Sequence, residues 1–146
     1  AECDTRAKQI EVALRVANES GKTKSVALLF KDREQERLIS SGLPNYATKL
    51  HRDMNSWSDG PGIYYGTFHS AKGLEFDLVI LPFLEKENLP DPEHVESHGE
   101  EDALTHDGRL LYVAVTRART DLLLLYTGEL TPLLPANPSL YVRVSP

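Results

Sequence analysis

Four short apolar runs constrain this chain more than any other feature, because each is long enough for a strand and too short for a buried helix. They occupy residues 25–30, 63–68, 77–82 and 121–126. None alternates between apolar and polar residues, which is typical of parallel strands buried on both faces. Helical spacing is found over residues 4–18, 32–41 and 110–118. The sequence therefore predicts an α/β domain in which helices cover both faces of a mainly parallel sheet.

The segments between these runs are assigned from turn residues and composition. Residues 45–62 show no clear pattern, apart from a loop rich in Ser, Gly and Asp at 56–62. Residues 85–107 are acidic and carry prolines at positions 90 and 92, so we expect an exposed loop there. A final strand is expected at 140–144.

Length and composition bound the remaining alternatives. The chain has 146 residues, of which 40% are apolar, and we expect one domain over residues 1–146. No apolar run reaches the roughly 18 residues that a membrane helix needs. The single cysteine, Cys3, excludes an internal disulfide and a cysteine-based zinc site. We therefore expect a protein of a reducing, cytoplasmic compartment.

Charge is distributed unevenly along the chain. The formal net charge is -6, and residues 85–107 hold nine acidic residues and one basic residue. An acidic total argues against a free-standing nucleic-acid clamp. Because the acidity is concentrated in one segment, the composition leaves polyanion binding by the remainder open without favouring it.

Residues 20–23 read Ser-Gly-Lys-Thr and so contain the end of a phosphate-binding loop. That loop needs another glycine five residues before Gly21, where this chain has Val16. It also needs a strand before it and a helix after it, whereas the order predicted here is the reverse. We interpret residues 20–23 as a helix end followed by a polar linker.

A denser group of polar residues lies at 67–76, between two predicted strands. A solvated turn is the structural alternative, but a short connection seldom needs His69, Lys72, Gly73 and Glu75 so close together. At the carboxyl end of a parallel strand, such a segment lies where open α/β sheets bind ligands. Gly73 permits close backbone approach, Lys72 can bind a phosphate, and Glu75 can accept a hydrogen bond from a sugar hydroxyl.

A second group lies at 109–119, where apolar residues of the predicted helix surround two arginines. Arg117 and Arg119 are two positions apart and cannot share a helix face. At least one guanidinium is therefore expected near a carboxylate or a phosphate. From the residues alone, a functional and a structural role for Arg117 are about equally supported.

Together, the two groups resemble motifs V and VI of superfamily 1 DNA helicases of the UvrD, Rep and PcrA type. The pattern T-x-H-x-x-K-G-L-E-F is matched in full at 67–76, and R-L-x-Y-V-x-x-T-R-A at 109–118. The similarity runs from Thr5 to about Leu134. It implies a RecA-like, three-layer domain of the P-loop NTPase type, the second of two motor domains and without a phosphate loop of its own.

In this family, ATP lies in a cleft between the two motor domains. By similarity, Arg117 is an arginine finger for the γ-phosphate and Glu75 contacts the ribose, with Lys72 and Gly73 close to the nucleotide. The N-terminal RecA-like domain of the same chain supplies the phosphate loop and holds the Mg²⁺ ion. Because that domain lies outside residues 1–146, we expect this fragment to be unable to hydrolyse ATP alone.

The resemblance also implies a nucleic-acid partner. Thr67 and His69 are expected on the track of single-stranded DNA, and RNA is the alternative strand because nothing here reads a 2′-hydroxyl. A catalytically silent RecA-like binding or scaffold module is the rival interpretation. The presence of both Arg117 and Glu75 favours the motor, since a silent module has no reason to retain them together.

Three histidines, His94, His98 and His106, lie among the carboxylates of residues 85–107. The spacing of the first two would suit a pair of metal ligands on a helix, but the neighbouring prolines argue against a helix. Since zinc sites usually need four organised ligands, we expect a solvated loop and no metal site.

Overall fold

A computed structural model describes residues 1–51, 54 and 60–146. Within them, five strands form one parallel sheet in the spatial order β2-β3-β1-β4-β5. The strands are β1 Ser25–Phe30, β2 Thr48–Lys49, β3 Gly62–Thr67, β4 Phe76–Leu81 and β5 Ala118–Leu124. The parallel sheet predicted from the apolar runs is therefore confirmed, and β2 lies in the segment that the sequence left unassigned.

Helices cover both faces of this sheet. The helices of the described residues are α1 Arg6–Ser20, α2 Arg33–Ser40, α3 Pro92–His98 and α4 Glu100–Val115. Every residue of β1 is buried. Leu28 and Phe30 of β1 belong to the apolar cluster that includes residues of α1 and α2, whereas Leu29 belongs to the cluster that includes Leu111 of α4. Burial on both faces explains why β1 shows no alternation of apolar and polar residues.

Local hydrogen bonds fix both ends of the helix that precedes β1. The Thr5 hydroxyl accepts a hydrogen bond from the Lys8 backbone N–H, and the Gly21 N–H donates to the Ala17 carbonyl at 2.9 Å. Lys22 therefore lies in a turn between a helix and a strand. This arrangement confirms that residues 20–23 are a helix end and not a phosphate-binding loop.

The exposed loop predicted at 85–107 is wrong, because α3 and the first turns of α4 lie in this segment. Pro92 is in the first turn of α3, where a missing N–H leaves no bond unmade. The Asp91 carboxylate caps the same helix by accepting from the Glu93 N–H at 3.1 Å. α4 begins with three acidic residues, which its dipole favours. The acidic and proline residues that suggested a loop are thus suited to helix N-termini.

Two further boundaries differ from the sequence predictions. α4 ends at Val115, and β5 begins at Ala118, three residues earlier than predicted. The final strand expected at 140–144 is absent, since a 3-10 turn covers Pro138–Leu140 and Val142 is 88% exposed with no strand beside it among the described residues. Part of the predicted loop at 56–62, residues 56–59, lies outside the described residues. Over the described part of the chain, no helix combines the length and apolarity needed to span a membrane.

Hydrogen bonds and an ion pair link the amino ends of β1, β4 and β5. The Ser25 N–H donates to Asp77 Oδ2 at 3.0 Å, and the Asp77 N–H donates to Ser25 Oγ at 2.9 Å. The Arg119 guanidinium lies 3.5 Å from Asp77 Oδ1. The hydrogen bond from the Ser25 N–H, assisted by the charge of Arg119, lowers the pKa of Asp77 below its ordinary value.

We expect Asp77→Ala to lower the free energy of unfolding at neutral pH by about 1 kcal/mol, since it leaves the Ser25 N–H without its acceptor. Because the folded pKa of Asp77 is lowered, this contribution is complete above the ordinary Asp pKa of about 3.9 and is lost as the pH falls through the lowered value. Urea unfolding of wild type and variant between neutral and acidic pH measures both effects.

The matched control is Asp121→Ala, which removes an exposed carboxylate 3.2 Å from Lys24 Nζ. Such a surface pair contributes less than about 0.5 kcal/mol. Equal losses in the two variants, or a difference from wild type that does not shrink in acid, would contradict the role assigned to Asp77.

Candidate functional site

The connection from β3 to β4, residues 67–75, is here named the crossover segment. It leaves the carboxyl end of β3 and enters the amino end of β4. Because β3 and β4 both run parallel to β1, the crossover segment must traverse the length of the sheet. The expectation that the whole segment lies at the carboxyl ends of the strands is therefore wrong, and only its first residues lie there.

The first half of the crossover segment is anchored in the core. The Phe68 N–H donates to the Phe30 carbonyl at 2.9 Å, and the side chains of Phe68 and Ala71 are buried. Thr67 Oγ1 lies 2.9 Å from Ser70 Oγ, which closes the 3-10 turn at His69–Ala71. His69 is exposed on this turn. The fold thus holds the backbone rigidly and presents the imidazole to solvent.

A groove of about 300 Å³ opens beside Thr67 and His69. Arg33 of α2, Lys49 of β2 and the adjacent His51 also line it. Lys49 Nζ is 3.1 Å from the carboxylate of Glu36, which partly balances the positive charge. Sequence reasoning missed these three groove residues, because they come from separate segments that only the strand order brings together.

The second half of the crossover segment is exposed. The side chains of Lys72 and Glu75 reach solvent, and no hydrogen bond or ion pair joins either side chain to another described residue. Gly73 adopts a φ of +84° with no atom within 4 Å of where a Cβ would stand. The backbone conformation, rather than crowding, therefore requires glycine at this position.

Arg117 follows α4 and is held by neutral acceptors. Its Nε donates to the Val113 carbonyl at 3.1 Å, and a terminal nitrogen donates to Thr116 Oγ1 at 3.2 Å. The Thr116 hydroxyl in turn donates to the Tyr112 carbonyl at 2.9 Å. The side chain is half-buried, and no carboxylate of the described residues lies within 4.0 Å of its guanidinium.

The two arginines have different surroundings. Arg119 meets the carboxylate of Asp77, which confirms that one of the two guanidiniums lies near an acidic partner. The helical argument behind that expectation is wrong, because α4 ends at Val115 and Arg119 lies in β5. The structure thus separates a structural arginine from one whose charge is not neutralised by a described neighbour.

Glu75 and Arg117 come together at the amino ends of β4 and β5. The Phe76 N–H donates to the Arg117 carbonyl at 2.8 Å. Since Glu75 directly precedes Phe76, this bond brings the backbones of Glu75 and Arg117 close together. Thr67 lies at the carboxyl end of β3, at the opposite end of the strands. The predicted site residues therefore form two groups, and the crossover segment joins them.

The histidines expected in a solvated loop lie on helices instead. His94 and His98 are in α3, and His106 is in α4. Ligand atoms of His94, His106 and Asp107 lie within 4.8 Å of one another. The argument that prolines exclude a helix here is wrong, since Pro92 lies in the first turn of α3.

Two glycine substitutions should act in opposite directions. Gly73→Ala should lower the free energy of unfolding by roughly 1 kcal/mol, since an L-residue is strained at this positive φ. Gly108→Ala should raise it by about 0.5–1 kcal/mol, because Gly108 lies inside α4, where the added Cβ would stand 3.8 Å from Leu133. Urea unfolding measures both, and a change of the same sign in the two variants would contradict the backbone argument.

Comparison with known proteins adds independent observations. Residues 45–129 match the family model of the UvrD-like helicase C-terminal domain. A probable DNA helicase II homolog of Rickettsia conorii is 41% identical over 63 residues, which are 43% of this chain and 10% of the relative. The ATP-dependent DNA helicase PcrA of Staphylococcus aureus is 34% identical over 91 residues, 60% of this chain and 12% of the relative. The matches thus span only a small part of these curated relatives.

A solved structure extends the similarity to the fold. The crystal structure of the C-terminal domain of a possible DNA helicase from Lactobacillus plantarum WCFS1 has a TM-score of 0.58 and 26% identity, and the match covers 90% of this chain and 74% of that one. The predicted RecA-like α/β fold and the resemblance to UvrD-type helicases are confirmed. Since the family model matches more than half of its residues, this chain belongs to the UvrD-like helicase C-terminal domain family.

Proposed function

We propose that this chain is the C-terminal motor half of an ATP-dependent DNA helicase and forms one wall of an ATP site whose other wall is the preceding RecA-like domain. The observation that carries the proposal is the guanidinium of Arg117. The side chain is half-buried, and its guanidinium is bonded only to neutral oxygens among the described residues. The Arg117 carbonyl accepts from the N–H of Phe76, the residue that follows the exposed Glu75. A cation in this state is available to an anionic ligand, and arginine suits phosphate because of its planar fork of donors.

The residues at the amino ends of β4 and β5 fit a nucleoside triphosphate. Arg117 would reach the γ-phosphate, and the carboxylate of Glu75 would accept from the ribose hydroxyls. Gly73 has open space at its α-carbon, so its backbone can approach the nucleotide closely, and the Lys72 ammonium is exposed beside it. ATP supplies the phosphoryl group for transfer, and the preceding domain holds the Mg²⁺ ion. A guanidinium placed where negative charge spreads accelerates phosphoryl transfer by roughly 10³–10⁵.

The groove at the carboxyl end of β3 fits a single strand of DNA. Thr67 and His69 lie beside Arg33 and Lys49, whose positive charges suit the phosphates of a nucleic-acid backbone. The exposed imidazole of His69 offers a ring face for a base. These contacts do not distinguish deoxyribose from ribose, so RNA is the alternative strand.

The crossover segment supports coupling between the two groups. Its first half is fixed by Phe68 and Ala71 in the core, and its last residue precedes the bond between Phe76 and Arg117. Closure of the two motor domains on ATP would therefore act on the same backbone that carries Thr67 and His69. In this way a rigid-body motion at the nucleotide changes the grip on the strand.

Arg117→Ala, made in the full-length protein, should lower the ATPase rate at least a hundredfold, because the finger contributes about 4–7 kcal/mol to lowering the barrier. Steady-state ATP hydrolysis measures the effect, and circular dichroism checks that the fold is retained. Arg117→Lys should retain only part of the activity, since an ammonium cannot donate as a fork. Residues 1–146 alone should not hydrolyse ATP.

The matched control is Arg15→Ala, which removes an exposed arginine of α1. This variant should hydrolyse ATP at the wild-type rate. A near-normal rate in Arg117→Ala would remove the role assigned to Arg117, whereas no ATP hydrolysis by the wild-type full-length protein would favour the silent scaffold module.

His69→Ala should reduce DNA-stimulated ATP hydrolysis more than basal hydrolysis, since His69 lies at the groove and not at the nucleotide edge. The assay compares both rates with and without a single-stranded oligonucleotide, and RNA of the same sequence serves as a second strand. His98→Ala, which removes an exposed histidine of α3, is the control. Equal losses of basal and stimulated activity in His69→Ala would contradict the DNA assignment.

A further inference from the structure

Three imidazole rings come together where α3 faces α4. The ring centroid of His94 lies 4.8 Å from that of His98, with the rings tilted by 39°. It lies 4.7 Å from that of His106, and these two rings stack at an interplanar angle of 24°. Imidazole nitrogens are the commonest metal ligands in proteins, so these rings are candidate ligands.

A buried carboxylate lies against the same rings. The side chain of Asp107 is only 5% exposed, and its Oδ1 is 3.0 Å from Nδ1 of His106. Its Oδ2 accepts a hydrogen bond from the Asp91 N–H at 2.6 Å, which fixes the carboxylate in place. The 3.0 Å between Asp107 Oδ1 and His106 Nδ1 is slightly shorter than the roughly 3.4 Å between two ligands of a tetrahedral ion, so one ion could bridge this pair after a small separation of the two atoms.

We propose that His94, His106 and Asp107 bind one divalent transition-metal ion, with Zn²⁺ as the expected species. Their ligand atoms lie within 4.8 Å of one another, and a tetrahedral site needs about 3.4 Å. The largest separation must therefore shrink by about 1.4 Å, and the 52% exposure of the His106 side chain leaves room for its ring to move. The two nitrogens and one oxygen leave a fourth position for water.

The surroundings of the site favour a cation. Asp102 Oδ2 lies 2.7 Å from Nε2 of His94, so this carboxylate can orient the ring. Residues 85–107 carry nine acidic residues and one basic residue, so the local field attracts positive ions.

Binding of the metal ion would hold α3 in place against α4. α3 has seven residues and none of them is buried, so few apolar contacts hold it in place. A metal ion bonded to His94 on α3 and to His106 and Asp107 on α4 would tie the two helices together. This proposal is independent of the proposed helicase activity, since it involves neither Arg117 nor the groove.

The test uses the full-length protein after removal of metals with EDTA, with Zn²⁺ and Co²⁺ as probes. Wild type should bind one Zn²⁺ at this site, and His94→Gln and His106→Gln should each bind it at least tenfold more weakly, since losing a ligand costs at least as much as losing an outer-shell partner. Co²⁺ should develop visible absorption of a tetrahedral site in wild type and not in the variants. His51→Gln, at a histidine outside the cluster, should bind Zn²⁺ and Co²⁺ as wild type does.

Hydrogen exchange gives a second, independent measurement. Zn²⁺ should slow exchange of backbone amides in Pro92–His98 in wild type and leave both variants unchanged. Equal Zn²⁺ binding by wild type and both variants would overturn the proposed site. Binding without slower exchange in α3 would overturn the tie between the helices.

Discussion

The parallel direction of β3, β1 and β4 is the constraint on which the candidate site depends. Two parallel strands can be joined only by a chain that returns along the sheet, and here the return is the crossover segment. The crossover segment must therefore begin at the carboxyl ends of the strands and end at their amino ends. A single short stretch of backbone therefore serves two surfaces, one beside the groove at Thr67 and one beside Arg117.

Much of this architecture could be predicted from the sequence, because burial on both faces leaves a clear mark. The runs that form β1 and β4 lack polar residues at alternate positions, which only a covered parallel sheet explains. The amino-terminal helix could also be predicted from the sequence, since Thr5 and Gly21 act through local hydrogen bonds. Local chemistry and strong burial are the signals that a single sequence carries well.

Other features depend on contacts that a single sequence does not display. The two arguments for a loop at 85–107, acidity and proline, apply equally to helix N-termini, so composition could not decide between them. The pairing of Arg119 with Asp77 joins residues of different strands. The groove likewise unites Arg33, Lys49 and His69 from three segments. In each case the tertiary arrangement supplied the missing information.

If Arg117 acts as proposed, its hydrogen bonds to neutral oxygens have a consequence for the speed of ATP turnover. Its guanidinium rests on a carbonyl and a hydroxyl, so no ion pair has to be broken before it turns toward a phosphate. Hydrogen bonds to a phosphate are charge-assisted and stronger than those to neutral oxygens, and the neutral acceptors Val113 and Thr116 stay in place for the return of the side chain. Such a side chain can engage and release repeatedly without the rest of the domain rearranging around it.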